Sequence, residues 1–411
     1  MIQKPRGTRD FLPAEMAQRR ELEQKMRKTA ESFGFGEVAT PMFEEQELFV
    51  LKSGEGILGE MYTFEDKGGR KIALRPELTA PTIRAYVNEA QVAPKPIRWF
   101  YFEECFRYER PQKGRYRQFW QFGCEIIGAD SAAADAEIIA TAYALLKCTG
   151  VRFVIKVGHL APMKHLLANL DAAGQKKVMA ALDKRDENLL KSALDELNKP
   201  ELFEPLIGLI TAQTLDEVFR IAGDIPERAR IEETFAYLNA QEIPVILNFG
   251  IARGLDYYTG MVFEGFADNL GAENQILGGG FYRLAHLFGG NDTPCCGFGI
   301  GFDRVAVSIG EFEPKKSAAV AIIAGKDSRD AAYKVAAAFR AEGITAVMDL
   351  LDRSFGAQLS SAIKSGASYA ALVGPKEAAA GTVTLKDLAK TEQKELSIAD
   401  AISEVLNGSR R

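Results

Sequence analysis

Residues 102–128, FEECFRYERPQKGRYRQFWQFGCEIIG, combine two strand-like segments with a basic loop between them. The segments 97–108 and 116–127 are rich in aromatic and branched residues, which predicts two β-strands. Pro111 and Gly114 supply the turn chemistry of the loop. The pattern predicts an antiparallel hairpin in which alternate residues of the second strand share one face: Phe119, Gln121, Gly123 and Glu125.

The hairpin carries an excess of positive charge. Between residues 107 and 117, Glu109 is the one acidic residue beside five cations, which are Arg107, Arg110, Lys113, Arg115 and Arg117. Because like charges repel at short range, this cluster predicts a bound anion, although a solvated cationic hairpin would show the same charge run. Gln121 and Glu125 favour the binding site, because a half-buried sheet face usually carries apolar residues at such positions.

Composition limits the broad class of the protein. A chain of 411 residues with 47% hydrophobic and 26% charged residues predicts two or three ordinary globular domains. The net charge of -5 argues against polyanion binding over the whole surface but allows a local basic site. The five cysteines lack C-x-x-C spacing, which argues against structural zinc. Because neither a signal peptide nor a membrane-length apolar run is evident, we expect a cytoplasmic protein.

The first hundred residues predict a helix, an edge strand and a hairpin. The helix covers 14–33, and Pro41 within a strand at 37–44 indicates a sheet edge that would suit a subunit interface, or a simple edge-capping proline. The hairpin at 62–74 leads into RPELT, where Glu77 and Thr79 could serve only as helix caps.

The middle of the chain changes character. A helix at 132–148 and a strand at 151–157 precede residues 160–240, where helical segments follow one another without strand signals and predict a helical insertion. His159 and His165 at its start are read as structural, because a metal site needs more ligands. Two polar stretches follow: RGLDYYTGMVFEGF, and CCGFGIGFDRV with Arg304 at a helix start.

The C-terminal region alternates strands and helices. Apolar segments at 318–323, 346–350, 369–373 and 382–385 are separated by helical patterns and predict a small α/β domain with a mostly parallel core. A ligand-binding regulatory module would give the same pattern.

Several stretches resemble class II aminoacyl-tRNA synthetases. FRYERPQKGRYRQFWQFGCEIIG resembles motif 2 in the form found in histidyl-tRNA synthetases, FGFGEVATPMFE resembles motif 1, and CCGFGIGFDRVAVSIGE resembles motif 3. RGLDYYTGMVFE resembles the histidine-specific motif, and GASYAALVGPKEAAAGTVTLKDL resembles the anticodon-binding domain. Together these matches cover nearly the whole chain.

The resemblance implies a fold and a domain order. We expect an α+β catalytic domain with an antiparallel sheet over 1–314, a helical insertion within it over 160–240, and an α/β anticodon-binding domain over 318–411. Motif 1 implies a homodimer. One departure stands out: the family usually has GGRYDGL where this chain has GGGFYRL, so no role is assigned to residues 280–283. His286 beyond them is predicted to lie on a helix surface.

The resemblance also implies a reaction. Histidine and ATP would give histidyl-adenylate and pyrophosphate, and the histidyl group would then move to tRNA, with Mg²⁺ accompanying ATP and no metal held by the protein itself. Arg107 and Arg253 are the implied catalytic residues, facing the α-phosphate from opposite sides.

Each substrate has an implied set of contacts. Those for histidine are Glu77, Leu78, Thr79, Arg107, Gln121, Glu125, Arg253, Tyr257 and Tyr258. Those for ATP are Arg107, Glu109, Arg115, Phe119 and Arg304, and those for the tRNA acceptor end are Arg110, Gln112 and Lys113.

Two other functions would use a similar sequence. One is the synthetase-like regulatory subunit of ATP phosphoribosyltransferase, which binds histidine but typically lacks an anticodon-binding domain. The other is an inactive tRNA-binding or histidine-binding paralogue, which should have lost the phosphate-facing arginines. Residues 318–411 argue against the first, and Arg107, Arg253 and Arg304 argue against the second.

Overall fold

The computed structural model describes residues 1–110, 114–184, 186–251, 257–268, 270, 274–311, 319–390 and 392–408. The chain divides into two compact units, Met1–Glu313 and Pro314–Arg411. Among the described residues, no helix combines the length and apolar content that a membrane crossing requires.

The first unit contains eleven strands within its described residues. They are β1 (Gly36–Glu37), β2 (Phe43–Glu45), β3 (Thr63–Glu65), β4 (Lys71–Leu74), β5 (Ile97–Phe106), β6 (Gln118–Ile127), β7 (Phe153–His159), β8 (Ile246–Leu247), β9 (Tyr258–Ala267), β10 (Gln275–Tyr282) and β11 (Cys295–Gly301). Eight of them form a sheet in the order β1-β5-β6-β11-β10-β9-β7-β8, and β2-β4-β3 form a small antiparallel sheet. In the large sheet, only the terminal pairs β1–β5 and β7–β8 are parallel.

The helices of the first unit surround the large sheet. They are α1 (Pro13–Ser32), α2 (Gln46–Ser53), α3 (Thr79–Ala85), α4 (Ala132–Thr149), α5 (Leu160–Leu166), α6 (Ala172–Asp183), α7 (Glu187–Glu196), α8 (Phe203–Thr211), α9 (Leu215–Ala222), α10 (Arg228–Ala240) and α11 (Phe302–Ile309). Short 3₁₀ turns cover Glu55–Gly59, Pro200–Leu202 and Ala285–Phe288, and a π-helical turn covers Tyr86–Ala90. Helices α5–α10 lie between β7 and β8 in the chain.

Alternation along β6 gives the large sheet two different faces. Phe122, Cys124 and Ile126 join the main hydrophobic core, together with Met26 from α1 and Ile139 from α4. Phe119 and Gln121, which alternate with them, line a cavity on the opposite face. The predicted hairpin is confirmed, since β5 pairs antiparallel with β6 along ten residues of each strand. The alternation along β6 therefore places one set of its side chains in the core and the other set at the cavity.

The edge strand predicted for 37–44 is wrong as a single strand. The structure has β1 beside β5 in the large sheet and β2 beside β4 in the small sheet, with Pro41 between them. A proline provides no backbone N–H for a ladder, so the chain leaves one sheet before it enters the next.

The second unit is built on one mixed sheet. Its elements are β12 (Ala319–Ala324), a 3₁₀ turn (Lys326–Ser328), α12 (Arg329–Ala341), β13 (Thr345–Met348), α13 (Phe355–Lys364), β14 (Tyr369–Val373), α14 (Pro375–Ala380), β15 (Thr382–Asp387), β16 (Gln393–Ser397) and α15 (Ile398–Gly408). The order is β13-β12-β14-β15-β16, where the first three strands are parallel and the pairs β14–β15 and β15–β16 are antiparallel. The prediction of a mostly parallel core is therefore correct for β12, β13 and β14 and wrong for the other two strands. β16 was not predicted, because it is polar and largely exposed and shows no apolar strand pattern.

Candidate active site

A cavity of about 380 Å³ opens on the face of the large sheet opposite α1 and α4. Its walls come from the β5–β6 hairpin, from α2 and the start of α3, and from β9, β10, β11 and α11. The polar and charged residues among its lining are Lys52, Ser53, Glu60, Glu77, Thr79, Arg107, Glu109, Arg115, Tyr116, Gln121, Tyr257, Tyr258, Gln275, Asp303 and Arg304. This is a pocket of the size and polarity that small charged ligands use.

One end of the cavity is cationic and half-exposed. Arg107 donates a hydrogen bond from Nε to the Pro76 carbonyl at 2.8 Å, which anchors its guanidinium group. The Cζ atom of Arg107 lies 5.4 Å from the centroid of the Phe119 ring. Glu109 lies 3.7 Å from Arg107 and 3.5 Å from Arg115. These separations are longer than direct charge-assisted hydrogen bonds. Arg107 and Arg115 therefore share Glu109 as a nearby acidic group, and two guanidinium groups close to one carboxylate suit a polyanion.

Glu125 is a buried carboxylate next to the cavity, close to the lining residue Thr79. The carboxylate is fully buried and accepts hydrogen bonds from the Tyr101 hydroxyl at 3.0 Å and from the Tyr282 hydroxyl at 2.6 Å. Burial raises the pKa of Glu125 to about 7, although the hydroxyl hydrogen bonds and the Lys52 ammonium oppose that rise. Near neutral pH this carboxyl group can therefore either accept or donate a hydrogen bond.

Glycines on the neighbouring strands make room for this arrangement. Gly297 stands opposite Glu125 across the β6–β11 ladder, and a Cβ there would lie 1.5 Å from Glu125 Oε2. Gly280 is next in the same row, and its Cβ would lie 2.8 Å from the Tyr258 ring. Any larger side chain at either position would displace a predicted histidine contact. Gly280 and Gly297 thus each have a steric reason.

A second buried carboxylate lies at the start of α3. Glu77 Oε2 accepts from the Thr79 amide at 2.8 Å and Oε1 accepts from the Ala80 amide at 3.1 Å, so Glu77 caps the helix. The same Oε2 is 2.7 Å from Lys52 Nζ. Glu77 therefore caps α3 and also forms an ion pair with Lys52 at the cavity wall.

Asp303 joins the N-terminal region to the hairpin. Its buried carboxylate accepts from Arg19 Nη1 at 2.8 Å, from Arg9, and from the Trp120 amide at 2.7 Å. These contacts fix the beginning of α11 against β6. They also fix the backbone of Arg304, the next residue, at the cationic end of the cavity.

Most predicted contacts that the structure describes line this one cavity. They are Glu77, Thr79, Arg107, Glu109, Arg115, Phe119, Gln121, Tyr257, Tyr258 and Arg304. Glu125 is not among the lining residues, but it interacts with the side chain of Thr79, which is. Arg253, Gln112 and Lys113 lie outside the described residues.

One predicted contact differs from its expected placement. The Leu78 side chain is fully buried against Tyr101 and Cys105 and does not line the cavity. Its apolar side chain packs under the start of α3, so a side-chain contact with histidine is not supported. Arg110, which was predicted to contact tRNA and not the small substrates, is exposed outside the cavity.

Remaining predictions concern histidines and metals. His286 is exposed in a short 3₁₀ turn, and His159 caps α5 by accepting from the Ala161 amide at 3.1 Å. Burial lowers the pKa of His159 to about 3, so it is neutral. In the part of the chain that the structure describes, no group of three His, Cys, Asp or Glu side chains is placed to hold a metal.

Three residues of the site were not identified from the sequence. Tyr101 faces Glu125 from β5, Tyr282 does so from β10, and Lys52 reaches Glu77 from α2. For Lys52 a signal existed, since Leu48, Phe49 and Lys52 share the buried face of one short helix. A lysine on an apolar face is notable because its charge needs a partner.

The fold and cavity define a class of protein. A largely antiparallel sheet with a cationic, carboxylate-lined cavity, followed by an α/β unit, is the architecture of a class II aminoacyl-tRNA synthetase. A family model described as Histidyl-tRNA synthetase matches residues 7–305, and one described as Anticodon binding domain matches residues 317–408. The chain belongs to the histidyl-tRNA synthetase family.

Individual relatives agree with that family. A histidine–tRNA ligase from Methanocorpusculum labreanum is 74% identical over 411 residues, which is 100% of both chains. The crystal structure of histidyl-tRNA synthetase from a Nostoc species is similar with a TM-score of 0.81 at 25% identity, over 99% of each chain. A structure titled ATP phosphoribosyltransferase regulatory subunit/histidyl-tRNA synthetase, from Bacillus halodurans, has a TM-score of 0.77 at 23% identity, over 91% of this chain and 98% of that one. At that identity the last likeness concerns the fold alone.

Proposed function

We propose that this protein ligates L-histidine to its tRNA in two steps, through a histidyl-adenylate. The observation that carries the proposal is the asymmetric cavity, with Arg107 and Arg115 in its lining and the buried Glu125 next to the lining residue Thr79. The buried end suits a small ligand with ring nitrogens, and the cationic end suits a triphosphate. One cavity would thus hold both reactants of an adenylation.

Histidine selection would depend on the buried end. Glu125, with a pKa of about 7, can accept a hydrogen bond from an imidazole N–H, and the hydroxyls of Tyr101 and Tyr282 fix its orientation. An amino acid without a ring N–H would desolvate this buried carboxylate without adding a hydrogen bond to it, which penalises a wrong substrate. Glu77, Thr79 and Gln121 would receive the α-ammonium group.

Adenylate formation would depend on the cationic end. The substrate carboxylate must approach the α-phosphate of ATP although both are anions, so a guanidinium between them stabilises the transition state. Arg107 is placed for this, and Arg253 would act from the opposite side. Arg115 and Arg304 would bind the outer phosphates through their planar forks, and Phe119 would stack on the adenine. Mg²⁺ would be bound chiefly by the phosphates, neutralising their charge.

Transfer and partner binding complete the proposal. Arg110, Gln112 and Lys113 on the hairpin loop would contact the tRNA acceptor end, and the second unit would bind the anticodon. A homodimer is proposed from motif 1. Large apolar side chains are exposed in this part of the chain, namely Met42, Phe43, Leu51 and Phe64, and they support an interface there.

The regulatory-subunit alternative is less well supported. The full-length identity to a histidine–tRNA ligase and the match of residues 317–408 to an anticodon-binding domain favour the ligase. An inactive paralogue would not need the cationic cluster, and Arg107, Arg115 and Arg304 all line the cavity.

Two assays test the proposed function. Histidine-dependent exchange between ATP and pyrophosphate measures adenylate formation, and charging of a tRNA that bears the histidine anticodon measures transfer. Both activities are expected. An absence of histidine-dependent exchange would refute the ligase, whereas exchange without charging would leave an adenylating enzyme that does not use tRNA.

A further inference from the structure

The chain segment that precedes α1 contacts the residues that lead into β6. We call residues 7–11 the N-terminal segment. The Gly7 carbonyl accepts a hydrogen bond from the Arg117 amide at 2.9 Å. Two residues further on, the Cζ atom of Arg9 lies 3.4 Å from the centroid of the Tyr116 ring, which is a close cation–π contact. The N-terminal segment therefore holds this side of the hairpin by a backbone hydrogen bond and by a guanidinium group on an aromatic ring.

Arg9 also reaches the beginning of α11. It donates to the Asp303 carboxylate, whose side chain is 1% exposed. The same carboxylate accepts from Arg19 at 2.8 Å and from the Trp120 amide at 2.7 Å. Without Arg9, Asp303 would still be paired with Arg19 and would not become an unpaired buried anion. What Arg9 adds is a simultaneous contact with Asp303 and with Tyr116.

The two partners of Arg9 are the chain neighbours of two arginines that line the cavity. Arg115 directly precedes Tyr116. Arg304 directly follows Asp303 and lies in the first turn of α11. Tyr116 and Asp303 line the cavity as well, whereas Arg9 does not. Arg9 thus connects, from outside the cavity, the two backbone segments that carry these cavity arginines.

The same two segments approach one another at Gly114. A Cβ atom built on Gly114 would lie 3.5 Å from Arg304 Cγ and 3.8 Å from Arg304 Cα. A few such atom contacts attract only weakly. The ion pair and the cation–π contact of Arg9 are stronger attractions, so they are better able to keep the segments together.

We propose that Arg9 is a positioning residue that fixes the spacing between Arg115 and Arg304 for the phosphates of ATP. Two guanidinium groups bind one polyphosphate well only when the protein holds them at a spacing that matches its oxygens. Arg9 acts through Tyr116 and Asp303. The inference rests on the proposed function, because it takes Arg115 and Arg304 as the groups that bind the outer phosphates.

The test measures histidine-dependent exchange between ATP and pyrophosphate at varied ATP and at varied histidine. Arg9→Ala removes both contacts, and Arg9→Lys keeps a positive charge for Asp303 but loses the planar group over Tyr116. Tyr116→Leu and the double variant Arg9→Ala/Tyr116→Leu complete a double-mutant cycle. The matched control is Arg20→Ala, because Arg20 is an exposed arginine of α1 that pairs with Glu23 and does not line the cavity. Thermal unfolding of each variant checks that it is folded.

Arg9→Ala is expected to raise KM for ATP roughly tenfold and to change KM for histidine by less than about twofold, because binding of the outer phosphates is lost in the ground state and the transition state alike. Arg9→Lys should raise KM for ATP roughly threefold, since the ion pair remains. In the double variant the rise should be smaller than the product of the two single effects, because both substitutions remove the same contact. Arg20→Ala should match the wild type.

Several outcomes would overturn the proposal. Equal rises in KM for ATP and for histidine in Arg9→Ala, or lower thermal stability with both KM values unchanged, would indicate a purely structural contact. The same change in Arg20→Ala would assign the effect to α1 as a whole. Fully multiplicative effects in the double variant would show that Arg9 does not act through Tyr116. If Arg9→Ala does not fold, an unchanged KM for ATP in Arg9→Lys would refute the proposal. Failure of the proposed function is separate, because it would appear as a wild type without histidine-dependent exchange.

Discussion

The two ends of the cavity are organised in opposite ways. At the amino-acid end, Glu125 and Glu77 are buried, and both already have close protein partners at 2.6 to 3.1 Å. At the phosphate end, Arg107 and Arg115 are about one-third exposed, and Glu109 lies 3.5 to 3.7 Å from them. The first end is preorganised by these close contacts, whereas at the second end Glu109 lies beyond the distance of a close charge-assisted hydrogen bond, so a ligand anion can take its place.

This difference separates selectivity from reactivity. A buried carboxylate that protein groups already hold in place needs little rearrangement to bind the right ligand. It discriminates strongly against the wrong ligand. A partly exposed arginine cluster can bind any polyphosphate. Its charges stabilise a transition state more strongly once the bound ligands exclude water from the site. Substitutions at the two ends should therefore change different kinetic constants.

The largest effect is expected at the phosphate end. Arg107→Ala should lower the rate of histidine-dependent pyrophosphate exchange by roughly 10² to 10³, because the guanidinium would stabilise charge that develops only in the transition state. Its effect on histidine affinity should be much smaller. Arg152→Ala, at an exposed arginine that does not line the cavity, is the matched control. An Arg107→Ala enzyme with normal exchange would remove this residue from the chemistry.

The second effect concerns Glu125. Glu125→Gln keeps the shape but removes the charge and one hydrogen-bond acceptor, so kcat/KM for histidine should fall by about 10², mainly through KM. Pyrophosphate exchange at varied histidine concentration measures it. A fall confined to kcat would mean that Glu125 serves the chemical step and not recognition.

Glu125→Gln should also change how the free energy of unfolding depends on pH. Glu125 has a pKa of about 7 when folded against 4.5 ordinarily, so between these pH values the native wild type binds more protons than the unfolded chain and loses stability as pH rises. The variant lacks this loss. Its free energy of unfolding relative to wild type should rise by up to ~3 kcal/mol from pH 4.5 to 7, measured by denaturant unfolding. A difference that does not vary with pH would contradict the buried-carboxylate account.

The third effect concerns Tyr282, which contacts Glu125 at the amino-acid end. Tyr282→Phe removes the hydroxyl that donates to Glu125 at 2.6 Å, and because this bond opposes the burial effect, the pKa of Glu125 should rise further. Histidine affinity near neutral pH should fall roughly tenfold, with the acidic limb of the kcat/KM profile moved to higher pH. Tyr86→Phe is the control, since its buried hydroxyl faces Thr293 instead. An unmoved pH profile would separate Tyr282 from the carboxylate's titration.

The smallest effect is expected for the adenine contact. Phe119→Leu should raise KM for ATP roughly fivefold and leave histidine affinity nearly unchanged, because a stacked aromatic ring contributes about 1 kcal/mol beyond its apolar area. Initial rates at varied ATP measure the change, and Phe355→Leu at an exposed ring of α13 is the control. If KM for histidine rose as much as KM for ATP, the two ends would not be separable at this residue.

Local patterns predicted the elements better than the sheets they enter. The alternation along β6 is a property of one strand, so Phe119 and Gln121 could be assigned to a common face before any partner strand was known. The separation of β1 from β2 depends on two different sheets that meet near Pro41; the proline signals a break in the ladder, but no local signal identifies the partner strands on either side. The same limit applies to β16, whose polar sequence is a strand only because β15 lies beside it.

The site shows the same limit in three dimensions. Glu125 was a candidate from its strand position, but its partner Tyr282 is 157 residues away and reaches it through the pairing of β6, β11 and β10. The departure at GGGFYRL hid this role, since the family pattern offered no equivalent for Tyr282. Lys52 was missed because its partner Glu77 lies in another helix, so only the fold brings the charges together.

The raised pKa values of Lys52 and Cys105 would also limit side reactions with the proposed intermediate. A histidyl-adenylate is a mixed anhydride that would acylate any deprotonated amine or thiol within reach. Lys52 is held as an ammonium by Glu77, and burial raises the pKa of Cys105, whose thiol contacts Gln121, to about 12. Both nucleophiles are therefore kept protonated beside the cavity. The activated histidine can wait for tRNA without modifying the wall of its pocket.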